Sequence, residues 1–175
     1  MTIVSIKRAW PGDDAALAAV GAATFLETFA GLVDGAHILA HCAREHAAGR
    51  YAEWLASPDY ALWLAVAEPG AAPVGYAMLA PPQNMPVAEP RKDDLEIKRI
   101  YVLSRFHGTG AGIALMDAAL AEAKARMAGR VLIGVKDDNA RAIAFYRKSG
   151  FEDAGTRTFS VGGGTYSDLL FAKPL

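Results

Sequence analysis

The sequence predicts a single α/β domain of the α+β kind, spanning residues 1–175, in which helices cover both faces of a sheet of about seven strands. Three observations carry this expectation. The chain has 175 residues, 53% of them hydrophobic, which is enough for one substantial core and a tight fit for two. Seven short apolar or alternating runs read as strands. From residue 95 onward they interleave with helical segments in the order strand, helix, strand, helix, strand, strand, a mixture that needs helices on both sides of the sheet.

Residues 2 to 8 alternate loosely and form the first strand; Pro11, Gly12 and Asp13 then turn the chain, with Asp13 as cap of a helix running to about Phe29. The stretch GLVDGAHILAHCAREHAAGRYAEWLASP is helical in texture but interrupted by glycines at 31, 35 and 49. YALWLAVA and VGYAML flank the turn EPGAAP as an antiparallel hairpin. Residues 81 to 93 are a proline-rich loop too short to separate domains. LEIKRIYVL, residues 95 to 103, is a strand by its alternation and its β-branched and aromatic content. The helix IALMDAALAEAKARMA follows and ends at Gly129 as C-cap, RVLIGV is the next strand, and Asn139 caps a helix ARAIAFYRKS that stops at Gly150. The tail FEDAGTRTFSVGGGTYSDLLFAK reads as two strands joined at Gly162 to Gly164.

A formal net charge of -1 without a Lys/Arg cluster argues against nucleic acid as partner, because such binding depends on neutralising several phosphates. The single cysteine, Cys42, excludes an internal disulfide framework and fits a reducing compartment. Lys7, Arg8, Asp13 and Asp14 interrupt the amino-terminal apolar run, which is neither a signal peptide nor a membrane span, so a cytoplasmic location is expected. Cys42 has no base suitably placed to make it a nucleophile, since His41 faces another side of the helix. His37 and His41 stand four apart, but no third ligand is evident and no metal is expected.

The stretch HGTGAGIALM is the most informative. Gly108, Gly110 and Gly112 bare the backbone immediately before a helix, whose first N–H groups are unpaired and whose macrodipole is positive at that end. That combination suits phosphate, and the glycines alone leave open an anion cradle or a flexible turn. Neither the dinucleotide-binding spacing nor a Walker A ending is present.

The order of signals, from strand LEIKRIYVL through the glycine loop, helix and strand VLIGV to DDNARAIAFYRKSGFEDAG, resembles the GNAT family of N-acetyltransferases over nearly the whole chain. The family's acetyl-CoA loop, Gln/Arg-x-x-Gly-x-Gly/Ala, falls on His107, Gly110 and Gly112, with His107 departing from the usual first residue. A second formal match beginning at Arg105 would shift the helix by two residues. The second signature matches Asn139, Phe145, Tyr146, Gly150 and Phe151. ATFLETFAG, LEIKRIYVLSRFHGTGAG and SVGGGTYSDLLFAKPL look in addition like bacterial polyamine acetyltransferases of the PaiA type.

The resemblance implies a mixed, mostly antiparallel sheet and acetyl-CoA as co-substrate, without a metal. It implies acetyl transfer to a primary amine of a small substrate, spermidine or spermine among them, by direct attack in a ternary complex. A protein amino terminus, an antibiotic or an amino-acid-like amine is an alternative acceptor; a non-catalytic CoA-binding sensor is the alternative class. Tyr146 is implied as general acid, since a tyrosine with a pKa near ~10 holds a proton to give to the departing thiolate. Glu96 is implied as base. Cofactor contacts are implied for backbone groups of Tyr101, Val102 and Leu103, for Arg105, His107, Gly108, Thr109, Gly110, Ala111 and Gly112, and for Asn139 and Tyr146. Asn139 equally suits a plain helix cap. Acceptor contacts are implied for Glu27, Phe29, Glu96, Tyr166 and Asp168, and Glu45, Glu53 and Asp59 lie in the same amino-terminal helical region. A homodimer is permitted without being required.

Overall fold

The computed structural model describes residues 3–161 and 164–175. Its elements run β1 (Ile3–Arg8), α1 (Asp14–Phe29), α2 (Gly35–Glu45), α3 (Ala48–Ala56), β2 (Ala61–Glu68), β3 (Ala72–Ala80), β4 (Asp94–Val102), α4 (Ala111–Ala125), β5 (Arg130–Lys136), α5 (Ala140–Lys148), β6 (Glu152–Val161) and β7 (Gly164–Pro174). One seven-stranded sheet has the order β1-β2-β3-β4-β5-β7-β6, antiparallel at every pairing except β4 with β5. Of the glycines expected to join the last two strands, Gly162 and Gly163 lie outside the described residues, and Gly164 opens β7.

Alternation along each strand sends one set of side chains to either face. Trp63, Ala65, Ala77, Leu79, Ile97, Val131, Ile133 and Phe171 pack against Leu115, Met116 and Ala119 of α4 and Tyr146 of α5. Leu62, Leu64, Tyr76 and Met78 point the other way, against Leu17 and Val20 of α1 and Tyr51 and Trp54 of α3. The proline-rich loop is also part of the structure, because Val87 and Met85 seal Leu132 and Leu170 on the second face. No helix among the described residues is long and apolar enough to cross a membrane.

Two local expectations are corrected. Asp13 occupies the N-cap position of α1, but its carboxylate turns back to accept from the Trp10 N–H at 3.0 Å and from Lys7 Nζ at 2.9 Å, so it closes the preceding turn instead. Helix α4 ends before Gly129. Met127 takes the left-handed position (φ 61°), with its N–H on Lys124 O and the Ala128 N–H on Ala123 O, the bonds of a Schellman motif. Gly129 serves a close approach instead: a Cβ there would overlap Asp93 Oδ2.

The functional consequence of the topology lies at β4 and β5. Their parallel pairing covers only Asp94–Glu96 with Arg130–Leu132; beyond it β4 continues along β3 and β5 along β7, so the two strands part. A buried bidentate pair clamps the closed end, Arg130 Nε to Asp94 Oδ1 at 2.7 Å and Arg130 Nη2 to Oδ2 at 2.9 Å. Burial works against the Asp94 carboxylate, but Arg130 and the Arg91 N–H outweigh it and hold its pKa below the ordinary value. The pair therefore stabilises the fold above the unfolded-state carboxylate pKa, and that contribution is lost as pH falls through the lower folded value. Asp94→Asn should cost about 2 kcal/mol at pH 7. In denaturant titrations the difference between variant and parent should begin to shrink as pH falls below about 4 and close only below the lower folded-state value; a constant difference at all pH would contradict this.

Candidate active site

The gap between β4 and β5 is lined by backbone. In an antiparallel pair, residues two apart send their N–H and C=O groups to the same side. Leu103 N–H donates to Val74 O at 2.8 Å, and the register Tyr101↔Tyr76 makes Tyr101 face β3 as well. The groups that face the gap belong to Val102 and Ile100. This corrects the backbone assignment at Tyr101 and Leu103, and it adds Ile100, which strict two-residue alternation from Val102 would have indicated.

His107 closes part of this edge. Its Nε2 lies 2.7 Å from Val102 O, so Nε2 carries the proton, and its Nδ1 accepts from Arg141 Nη1 of α5. The imidazole thus ties the end of β4 to the start of α5. Arg105, in the single turn Ser104–Phe106, is exposed.

The glycine loop has the backbone shape that an anion cradle requires. Gly108 and Gly110 have φ of 80° and 87°, which L side chains rarely adopt, and Gly110 is the N-cap of α4. Thr109 Oγ1 donates to Phe106 O at 2.8 Å and weakly accepts the Ala111 N–H at 3.4 Å. No described residue accepts from the N–H groups of Gly108, Gly110, Gly112 or Ile113, so four donors remain at the positive end of the helix. Gly110→Ala should weaken CoA binding about tenfold by straining the loop. Gly112, where a Cβ would only touch Phe145 Cζ at 3.8 Å, should accept Ala with affinity within about threefold, and calorimetry would separate the two.

Helix α5 brings Asn139 and Tyr146. Asn139 Oδ1 accepts the Ala142 N–H at 3.1 Å, the expected cap. Tyr146 is buried among Phe145, Phe151 and Phe171, with ring centroids 5.6, 6.2 and 6.4 Å away. Burial raises its pKa far above the ordinary tyrosine value, with Tyr101 and Asp168 adding to the shift. Its phenol is therefore protonated throughout the neutral and alkaline range.

On the face beneath α1 and α2, Glu96 and Asp168 are buried and share one cation that sequence reasoning missed. Arg157 on β6 pairs in register with Asp168 on β7, its Nε 2.9 Å from Asp168 Oδ2. It crosses above Gly134 of β5, where a Cβ would lie 2.5 Å from Nη2, and its Nη1 stands 3.7 Å from Glu96 Oε1. Glu96 Oε2 accepts the Gln83 N–H at 2.9 Å. Burial raises the pKa of both carboxylates against the opposing pull of Arg157. The register that sets Val161 opposite Gly164 also sets Arg157 opposite Asp168, and that pairing was the available signal.

The remaining residues disperse. Glu27 at the end of α1 accepts from Ser104 N and Oγ at 2.8 and 2.7 Å, which fixes the entry to the glycine loop. Phe29 is buried against Phe25 and, with Thr28, Leu32, Lys136, Asn139 and Arg141, lines a cleft of about 370 Å³ beside α5. Tyr166 packs on the cluster of Phe25, Phe29, Val33 and Ile38. Glu45 pairs with Arg44 and Arg99, Glu53 pairs with Arg50, and Asp59 lies in the turn before β2, so these carboxylates do not meet in one channel. His41 stacks on Phe25 at 4.2 Å and burial pushes its pKa down to about 4; burial pushes the Cys42 thiol up. No group of three metal-ligating side chains occurs among the described residues.

Known proteins resemble this chain in sequence and in fold. The chain is 38% identical over 159 residues to uncharacterized N-acetyltransferases of Mycobacterium bovis and Mycobacterium tuberculosis, covering 91% of this chain and 96% of theirs. Its fold is similar to that of the PaiA N-acetyltransferase from Thermoplasma acidophilum, solved in complex with coenzyme A, with a TM-score of 0.77 at 16% identity over 98% of this chain and 99% of that one. It is also similar to a ribosomal-protein-alanine N-acetyltransferase from Brucella melitensis, with a TM-score of 0.71 at 26% identity over 98% and 99% of the two chains. The acetyltransferase (GNAT) family profile matches residues 32–151, and this chain belongs to that family.

Proposed function

We propose that this acetyltransferase takes acetyl from acetyl-CoA and delivers it to a primary amine of a small substrate, acting in the cytoplasm by direct attack within a ternary complex. The observation that supports the reading is the gap between β4 and β5, with the glycine loop and α4 following β4 in the chain and α5, which carries Tyr146, following β5. In this reading the pyrophosphate sits on the N–H groups of Gly108, Gly110, Gly112 and Ile113. The pantetheine arm enters between the strands, and the N–H groups of Ile100 and Val102 are available to the thioester carbonyl as negative charge develops on its oxygen. Tyr146 protonates the sulfur as it leaves. The acceptor approaches from the face of Glu96 and Asp168, where a carboxylate removes the proton that blocks attack.

A polyamine remains the narrower form of this reading, supported by the buried carboxylates Glu96 and Asp168 rather than by Glu27, Glu45, Glu53 or Asp59. A thiol-release assay across polyamines, monoamines, amino acids and peptide amino termini tests it. Acetyl-dependent release of CoA with a small primary amine is the expected result. A spermidine kcat/KM no higher than that of a monoamine at low salt would remove the polyamine form. Tight CoA binding with no turnover for any amine would favour a sensor.

A further inference from the structure

We propose that Asp168 takes the proton from the acceptor's ammonium group, that Arg157 positions it, and that Glu96 serves as the balancing charge. This assignment rests on the acetyl-transfer reading above. Glu96, Gly134, Asp168 and Arg157 come from β4, β5, β7 and β6, four strands adjacent in the sheet, and they share the face beneath α1 and α2. Glycine at 134 leaves room for the guanidinium to lie across β5 and reach both carboxylates. Within this triad two carboxylates surround one guanidinium, an excess of one negative charge that would favour an arriving ammonium group.

The two carboxylates are not equivalent. Glu96 has Oε2 held by the Gln83 N–H and Oε1 turned to Arg157, so both oxygens look toward the proline-rich loop and β6. Asp168 gives only Oδ2 to Arg157, and Oδ1 has no donor among the described residues. Its cross-strand partner Lys136 lines the cleft that also contains Phe29 and Asn139. Asp168 adds to the raised pKa of both Tyr146 and Tyr101, after burial, so it stands within electrostatic range of the tyrosine that the proposed mechanism sets beside sulfur. The groups acting on Asp168 itself are Arg157 from β6, Lys136 and Asp137 at the end of β5, and, through Arg157, Glu96 from β4.

The ammonium gives one proton to Asp168 Oδ1, and the freed lone pair on nitrogen attacks the thioester carbonyl carbon, forming the C–N bond. The C–S bond breaks with its electrons going to sulfur, which takes the phenolic proton of Tyr146. Tyr146 regains a proton from the amide-forming nitrogen, and Asp168 releases its own to solvent. The sum is ammonium plus acetyl-CoA giving acetamide, CoA and one proton.

The test uses the full chain with Asp168→Asn, Glu96→Gln and Arg157→Gln, measuring acetyl-CoA affinity, Tm, and kcat/KM against pH with an amine that the parent acetylates. Asp168→Asn should lose about 100-fold in kcat/KM at neutral pH and lose the acidic limb of the profile, while binding acetyl-CoA as the parent does. Glu96→Gln should stay within about tenfold and move the acidic limb to lower pH, because removing a neighbouring negative charge eases ionisation of Asp168. Arg157→Gln should move it to higher pH. Retention of the limb in Asp168→Asn, its loss in Glu96→Gln, or shifts of the same sign in Glu96→Gln and Arg157→Gln would overturn the assignment; the last comparison holds even if Asp168→Asn fails to fold. A parent that binds acetyl-CoA yet acetylates no amine would instead overturn the underlying reading, and this assignment with it.

Discussion

Replacing Tyr146 with Phe should lower kcat about 100-fold while acetyl-CoA binds with a Kd within about twofold of the parent. The substitution removes one oxygen and keeps the ring, whose contacts with Phe145, Phe151 and Phe171 hold α5 to β7, so Tm should barely change. What is lost, under the proposed mechanism, is a proton donor. Burial keeps the Tyr146 phenol protonated well beyond the alkalinity at which an exposed tyrosine ionises, so it is in the donating form at every working pH. In that mechanism a departing thiolate without this donor must find its proton elsewhere. Rapid-quench measurement of the chemical step checks this, and an unchanged rate with chemistry limiting would remove Tyr146 from the mechanism.

Gly21→Ala should destabilise the protein by about 3 kcal/mol, against the usual gain of roughly 1 kcal/mol for that change inside a helix. Gly21 lies on the face of α1 turned toward α3. A Cβ there would overlap Tyr51 Oη and stand 2.5 Å from His46 Nδ1. Both residues are buried, and neither end can swing away without breaking a chain of hydrogen bonds: Tyr51 Oη donates to His46 Nδ1 at 2.9 Å and accepts from Arg99 Nη1 at 3.2 Å, while Arg99 also donates to Glu45 O at 3.1 Å. His46 serves as a neutral acceptor because burial pushes its pKa down to about 3. Arg99 itself is stacked on Trp54, with its guanidinium carbon 4.7 Å from the ring centroid. A Tm lower by roughly 10 °C is expected. Gly49→Ala on α3, where a Cβ meets nothing within 4 Å, is the control and should be neutral or mildly stabilising; equal Tm values for the two variants would refute the packing argument.

Much of the fold was legible before any coordinates because its signals are local. LEIKRIYVL alternates, the glycine loop and α4 follow, and β5 and α5 come next with Asn139 as cap, each element declaring itself within about ten residues. The differences at Asp13 and Gly129 have the same origin. An aspartate before a helix and a glycine after one are strong local signals, but at Asp13 a lysine from β1 competed for the carboxylate. At Gly129 the Asp93 side chain, 36 residues away in sequence, required the missing Cβ.

By itself the sequence determined the glycine turn ahead of α4 and the capping asparagine of α5, because turn glycines and helix ends are properties of consecutive residues. Only the tertiary structure decided which backbone groups of β4 face the gap and which charges meet. Val102 and Ile100 look toward β5 because β3 takes the alternate groups, a matter of register across the sheet. Glu45 and Glu53 found arginines on neighbouring turns and strands, whereas Glu96 and Asp168 came to share Arg157 across four strands. Electrostatic partners are chosen by distance in space, and that distance follows from strand order and register, which no single stretch of the chain contains.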